Sequence, residues 1–163
     1  MYIMNNLQKL IDIGFVKAGK WTRNESVIKF SLTDCAESRN VLYCFVSDGV
    51  VLYLGKTITL LKRRLYGYQN PGPTQSTNIN GNRKINSLIA DGKEVDIYAL
   101  PDNGLLHFGC FHINLAAGLE DNIIKTIRPL WNKTGTFQNQ KEAEQDETQQ
   151  SPLAALPSKS PAI

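Results

Sequence analysis

The stretch Val41–Gly55, VLYCFVSDGVVLYLG, contains two apolar runs separated by an Asp-Gly pair. An Asp-Gly pair between apolar runs is a strong signal for a β-hairpin, because the tight turn needs positive φ angles that Gly adopts freely. We therefore predict antiparallel strands over Val41–Val46 and Val50–Leu54. Since side chains alternate between the two faces of a strand, Tyr43 and Tyr53 are expected to lie near each other across the pair.

Composition limits the class of protein. The 163 residues are enough for one domain with a substantial core. No apolar run approaches the ~20 residues that cross a bilayer, and the first residues lack the pattern of a secretory signal. Three scattered cysteines favour a reduced, cytoplasmic protein over a disulfide scaffold. We expect no membrane partner.

Charge is unevenly distributed along the chain. The net charge of the chain is +3. Residues 136–163 hold two lysines and four acidic residues, a net charge of −2, so residues 1–135 carry a net charge of +5. The basic residues of the body cluster on either side of the predicted loop described below. A mildly basic body suits a polyanionic partner such as nucleic acid.

The rest of the pattern predicts an α/β fold with a small antiparallel three-stranded sheet flanked by helices. Residues 1–38 are predicted to form an N-terminal helix-strand extension that could contact DNA, with a turn over Gly19–Asn24, Trp21 as a packed anchor and a strand over Val27–Leu32. A domain over 39–135 follows, and the Gln-, Glu-, Ser- and Pro-rich tail 136–163 is expected to be disordered.

Outside the hairpin, the domain is predicted to contain three helices and one more strand. Apolar spacing and stop signals place these elements at Leu60–Tyr66, Asn82–Asp91, Val95–Leu100 and Leu115–Arg128. Residues 67–81 are predicted to be a long loop, a feature that is often functional. Four amide side chains of this loop could hydrogen-bond to base edges or phosphates. They are Gln69, Asn70, Gln75 and Asn78.

The sequence contains residues typical of a phosphate-binding loop and of a zinc site, but their spacing does not match either motif. Gly55-Lys56-Thr57 between a strand and a helix is similar to a phosphate-binding loop, but Val50 occupies the position of the required earlier Gly. His107, Cys110 and His112 lack the paired spacing of structural zinc ligands.

Glu120 borders the apolar stripe of its predicted helix. A carboxylate is costly there unless it is paired or bound to a cation. A salt bridge to Arg64 or Lys125 and a metal site both remain open from the residues alone.

In order and context, these motifs resemble the GIY-YIG nuclease superfamily, which includes restriction and homing endonucleases, over roughly residues 40–135. Val41-Leu42-Tyr43 stands where the family has Gly-Ile-Tyr, so only the tyrosine is kept. Tyr53-Leu54-Gly55 matches Tyr-Ile-Gly and is followed by Lys56-Thr57. The helix Leu61–Leu65 supplies the family arginine, and Trp131-Asn132 resembles the closing asparagine motif.

The resemblance implies Mg²⁺-dependent hydrolysis of DNA, with Mn²⁺ as a substitute metal. Tyr43 would act as general base and Tyr53 would position the water or phosphate. Lys56 and the metal would lower the pKa of the base, since free tyrosine has a pKa of about 10. Glu120 would bind the metal, and Asn132 would fix local geometry or contact the phosphate.

The family arginine is assigned to Arg64, with Arg63 as the alternative. It would stabilise charge on the scissile phosphate. Arg63 and Lys62 are then expected to contact the DNA, together with the loop amides.

The predicted protein is an endonuclease on double-stranded DNA, resembling a site-specific type II restriction enzyme. A homodimer would suit a palindromic site. A structure-specific repair or recombination nuclease and a catalytically silent DNA-binding module are the alternatives.

Overall fold

A computed structural model of the chain describes residues 5–132. Four helices and seven strands form an α/β fold in this range. In chain order they are α1 (Asn6–Asp12), β1 (Val16–Asn24), β2 (Val27–Leu32), β3 (Val41–Ser47), β4 (Val50–Thr57), α2 (Leu61–Gln69), α3 (Ser76–Ala90), β5 (Val95–Pro101), β6 (His107–Phe108), β7 (Phe111–His112) and α4 (Leu115–Ile127). No helix among these is long and apolar enough to cross a membrane. The predicted tail 136–163 lies outside the described residues.

The main sheet has five strands in the order β2-β1-β5-β3-β4, with neighbours antiparallel. The prediction of three strands is therefore wrong, because β1 and β2 join the sheet through β5. The predicted turn over Gly19–Asn24 lies within β1. A Cβ on Gly19 would lie 2.0 Å from the main-chain oxygen of Ser31, so this glycine allows β2 to pair closely. Trp21 is 3% exposed, which confirms its role as a packed anchor.

The predicted hairpin is confirmed. Asp48 and Gly49 both have positive φ, at 51° and 75°, as the turn requires. A register shift beside Phe45 pairs this residue with Tyr53 and pairs Tyr43 with Gly55. The rings of Tyr43 and Tyr53 lie 6.2 Å apart between centroids, so the two phenols are neighbours as expected.

Helices cover both faces of the sheet. The face that carries Tyr43 and Phe45 packs against α2 and α3, while the face that carries Leu42 and Cys44 packs against α1 and α4. Every residue of β3 is buried as a result. The edge strand β4 lies next to β3 and borders both packed layers, so a site built around it can draw on helices from either face.

The predicted loop over residues 67–81 is wrong. Helix α2 continues to Gln69 and α3 already begins at Ser76, which leaves a connection of residues 70–75. The first turns of α3 are rich in Ser, Asn and Gly, residues of low helix propensity, so the sequence favoured a loop. Tertiary contacts override that preference, since Asn78 is fully buried in the first turn and Gly81 packs against the ring of Tyr68.

Candidate active site

A buried cluster around Arg64 lies between β3, α2 and α3. Arg64 is 6% exposed and donates through each of its nitrogens. Its Nε bonds to the hydroxyl of Tyr43 at 2.9 Å, and Nη2 bonds to the hydroxyl of Tyr68 at 3.0 Å. Nη1 bonds to Oδ1 of Asn78 at 2.8 Å. The two phenol oxygens are themselves 2.9 Å apart.

Among the residues that the structure describes, the positive charge of Arg64 has no carboxylate partner. Its three acceptors are neutral oxygens, and the salt bridges within residues 5–132 do not include it. A buried guanidinium without an ion pair carries a desolvation cost of several kcal/mol in general. Such a charge is compensated when an anion binds, and the second N–H on each terminal nitrogen is suited to phosphate oxygens.

Gly55 allows Tyr43 to reach Arg64. A Cβ on Gly55 would lie 2.8 Å from the Tyr43 hydroxyl oxygen and 2.9 Å from Cε1 of Tyr53. The ring of Tyr43 therefore crosses β4 at the one position of its strand pair that carries no side chain. This contact gives a physical reason for the glycine of the Tyr53-Leu54-Gly55 motif.

We expect Gly55→Ala to destabilise the protein by about 1–3 kcal/mol, the usual cost of overpacking a core. Gly118→Ala is a matched control, because a Cβ at this helical position meets nothing within 4 Å. The control should stabilise the protein by about 0.5–1 kcal/mol, since Ala is the better helix former. Urea denaturation of both variants measures the two changes. A Gly55→Ala protein as stable as the wild type would show that the rings move aside freely.

Burial determines the ionisation of the two tyrosines on the hairpin. It raises the pKa of Tyr43 well above the usual range, and the charge of Arg64 opposes this shift only in part. Burial likewise raises the pKa of Tyr53, and the negative charge of Glu120 adds to that shift. The direction is opposite to the lowering expected from nearby positive charge. Both phenols are therefore neutral in the free protein at neutral pH.

Lys56 and Glu120 form a pair on the opposite face of β4. Lys56 is directly opposite Leu42 in the strand register, so it faces α4, where Glu120 lies. Its Nζ is 3.1 Å from Oε2 of Glu120, and their side chains are 24% and 13% exposed. Burial raises the pKa of Glu120, while Lys56 lowers it by less. The sequence analysis expected Arg64 or Lys125 as the salt-bridge partner of Glu120, and this is wrong, because the partner is Lys56.

Glu120 is the carboxylate that a metal would use here. Within residues 5–132, no cluster of three or more His, Cys, Asp or Glu side chains is arranged to hold a metal ion. A single carboxylate nevertheless fits Mg²⁺, which keeps several waters and binds through one or two carboxylates. Burial raises the pKa of Glu120 by more than the positive charge of Lys56 lowers it. A bound cation would stabilise the carboxylate further.

The side chain of Asn132 forms hydrogen bonds with the main chain of the edge strand β4. Its Oδ1 accepts the main-chain N–H of Leu54 at 2.9 Å, and its Nδ2 donates to the Leu54 carbonyl oxygen at 2.8 Å. Trp131 extends this contact by donating its main-chain N–H to the Leu52 carbonyl oxygen. Of the two roles that the sequence left open for Asn132, the structure therefore supports fixing local geometry.

The residues proposed to contact DNA lie in different environments. Gln75 and Asn78 are 7% and 0% exposed and bond to each other, so neither can reach a base edge in this conformation. Gln69 is half-buried and its Oε1 accepts the main-chain N–H of Phe30. Three candidates remain on or near the surface of α2 or at its end. They are Lys62, which pairs with Glu37, the half-buried Arg63, and Asn70.

Tyr68 is a member of the cluster that the sequence analysis did not include. Its ring lies under the guanidinium of Arg64, with 4.5 Å between Cζ and the ring centroid. Residues four apart on a helix face the same side, so the spacing from Arg64 to Tyr68 was a usable signal.

The fold can be compared with two solved structures. A point mutant of bacteriophage T4 EndoII superimposes with a TM-score of 0.63 at 21% identity, covering 80% of this chain and 100% of that one. The restriction endonuclease Hpy188I, solved in complex with product DNA, gives 0.46 at 19% identity, covering 77% and 82%. No family model and no curated protein matches the sequence. At such identities the similarity establishes a shared fold with EndoII.

Proposed function

We propose that this protein is a DNA endonuclease of the GIY-YIG type that hydrolyses phosphodiester bonds. The observation that carries the proposal is the buried guanidinium of Arg64, which has no carboxylate partner within residues 5–132, at a hairpin edge whose opposite face presents Glu120. A phosphodiester supplies one negative charge per linkage, which matches the unpaired cation. The shared fold with T4 EndoII supports the same activity.

In this proposal Arg64, which is 6% exposed, binds oxygens of the scissile phosphate through its two terminal nitrogens once DNA binding gives the phosphate access to this buried group. The charge that develops on these oxygens as water attacks phosphorus is then stabilised by a donor already held in place. Tyr43 lies beside it as the proposed proton acceptor. Because a neutral phenol cannot accept a proton from water, this role requires Tyr43 first to release its own proton to solvent, and the Arg64 Nε contact at 2.9 Å would stabilise the resulting phenolate.

Glu120 would hold Mg²⁺ or Mn²⁺ on the other side of β4. When bound, such an ion supplies Lewis acidity and stabilises the leaving oxygen. Lys56 keeps the carboxylate oriented through its 3.1 Å contact. Tyr53 packs against Tyr43, and the charge of Glu120 adds to the rise of its pKa, so Tyr53 is the proposed residue that positions the water or phosphate between the two groups.

The recognised partner is proposed to be double-stranded DNA, cut at specific sites in the manner of a type II restriction enzyme. Lys62, Arg63 and Asn70 are the proposed DNA contacts. A symmetric dimer on a palindromic site is part of this proposal.

Incubation of purified full-length protein with supercoiled plasmid tests the activity. We expect nicked or linear product with Mg²⁺ or Mn²⁺ and none with EDTA, and discrete fragments if cleavage is site-specific. Binding of DNA without cleavage under either metal would refute the enzyme and favour a silent binding module.

Tyr43→Phe should lose cleavage and also some stability. The change leaves the buried Arg64 Nε–H without its acceptor, which costs about 1–3 kcal/mol in general. Single-turnover cleavage and urea denaturation measure the two effects, with Tyr53→Phe as the comparison. If Tyr43→Phe keeps activity and Tyr53→Phe loses it, the general base is Tyr53.

A further inference from the structure

The side-chain amide of Asn78 has an orientation that its neighbours determine. The main-chain N–H of Gly72, which can only donate, bonds to Oε1 of Gln75 at 2.9 Å. The same oxygen accepts Nδ2 of Asn78 at 3.0 Å. The remaining atom of the Asn78 amide is therefore its oxygen, and it faces Nη1 of Arg64 at 2.8 Å.

This chain of contacts links the α2–α3 connection to the guanidinium. Gln75 immediately precedes α3, and Asn78 lies in the first turn of that helix. The hydroxyls of Tyr43 and Tyr68 accept hydrogen bonds from Nε and Nη2 of Arg64, and Asn78 accepts one from Nη1. Together the three contacts fix the orientation of the planar guanidinium.

The neutrality of Asn78 matters as much as its position. An aspartate of the same shape would also offer Arg64 an oxygen, but it would cancel the charge and would place its second oxygen against Oε1 of Gln75, which can only accept. Asparagine supplies the acceptor alone, so the cluster keeps one net positive charge.

We propose that Asn78, oriented by Gln75, is a positioning residue that fixes the guanidinium of Arg64 while leaving its charge for a phosphate group of the substrate. This proposal rests on the proposed function. It assigns the buried amides of Gln75 and Asn78 to the orientation of Arg64 instead of to direct contact with DNA. It predicts that geometry and charge at Arg64 can be separated by substitutions at one position.

Asn78→Asp should slow single-turnover DNA cleavage by about tenfold or more, as expected when a transition-state charge contact is neutralised. Inorganic phosphate should raise the Tm of the wild type in metal-free buffer, because it binds the folded state, and this increase should be lost in Asn78→Asp. Asn86→Asp is the matched control. It adds the same charge on the same helix, where the side chain of Asn86 donates to the Ser26 carbonyl oxygen and, within residues 5–132, has no hydrogen bond to the Arg64 cluster. Its cleavage rate and its response to phosphate should stay close to those of the wild type.

Asn78→Ala separates the two roles and remains informative if Asn78→Asp does not fold. It removes the acceptor without adding charge, so cleavage should slow while stabilisation by phosphate persists. Wild-type cleavage and phosphate response in Asn78→Asp would overturn the proposal, as would loss of the phosphate response in Asn78→Ala. If the wild type itself fails to cleave DNA with Mg²⁺ or Mn²⁺, the proposed function fails, and the phosphate comparison still decides the role of Asn78.

Discussion

The Arg64→Ala protein should cleave DNA at least about 100-fold more slowly than the wild type in the chemical step, because it loses a preorganised charge contact to the phosphate. Stability should fall as well, because truncation leaves a cavity and leaves the buried Oδ1 of Asn78 without its donor. Removal of a buried charge offsets part of this cost. Single-turnover kinetics at saturating enzyme isolates the chemical step, and thermal denaturation reports stability.

Arg63→Ala is the matched control, since it makes the same change one residue earlier on α2. Adjacent helical residues point about 100° apart, so the two arginines cannot share one role. Arg63 is half-buried where Arg64 is buried. We expect Arg63→Ala to weaken DNA binding and to reduce its salt dependence, with the chemical step largely unchanged. If Arg63→Ala loses the chemical step instead, the buried cluster is not the catalytic centre.

Local signals made the hairpin and its flanking elements predictable. The Asp48-Gly49 dipeptide is enough to predict the turn, and both residues adopt the positive φ that it requires. Strand β2 and helix α4 follow from apolar spacing, and their observed bounds agree with the predicted ones within one residue. The information for these elements lies within a few neighbouring positions.

Long-range pairing was not predictable from such signals. Strand β1 joins the sheet by pairing with β5, about 80 residues later in the chain, and no local pattern reports that partner. Its exposed face is polar and it contains Gly19, so it was interpreted as a turn. The first turn of α3 is a similar case, because burial of Asn78 and not helix propensity holds it in place.

In the candidate site, too, the residues could be chosen from the sequence, whereas their long-range contacts could not. Tyr43, Arg64 and Glu120 were chosen by their order along the chain, and the structure brings Tyr43 and Arg64 into direct contact. The partner of Glu120 was missed, since pairing with Lys56 depends on how α4 crosses β4. The amides of Gln75 and Asn78 look the same in a sequence whether they face solvent or a buried guanidinium.

Glu120→Gln should nearly abolish metal-dependent cleavage and leave the fold intact. The amide keeps the shape of the carboxylate and an oxygen for Lys56, so the 3.1 Å contact can survive as a neutral–charged hydrogen bond. What is lost is the negative charge that would hold Mg²⁺, and an amide oxygen alone binds a hard divalent cation poorly. A binding readout separates this effect from catalysis: Mn²⁺ titration followed by electron paramagnetic resonance should detect a site in the wild type that Glu120→Gln lacks.

Asp121→Asn is the matched control for Glu120→Gln, because it removes the same charge one residue along α4 at an exposed position. Adjacent helical side chains point about 100° apart, so the control should keep both Mn²⁺ binding and cleavage within a few-fold of the wild type. Equal loss in the two variants would mean that the general negative potential of α4, and not a ligand at Glu120, attracts the metal. Near-normal Mg²⁺-dependent turnover in a folded Glu120→Gln protein would remove Glu120 from the site altogether, and Lys56 would then be the group on that face of β4 left to act on the phosphate.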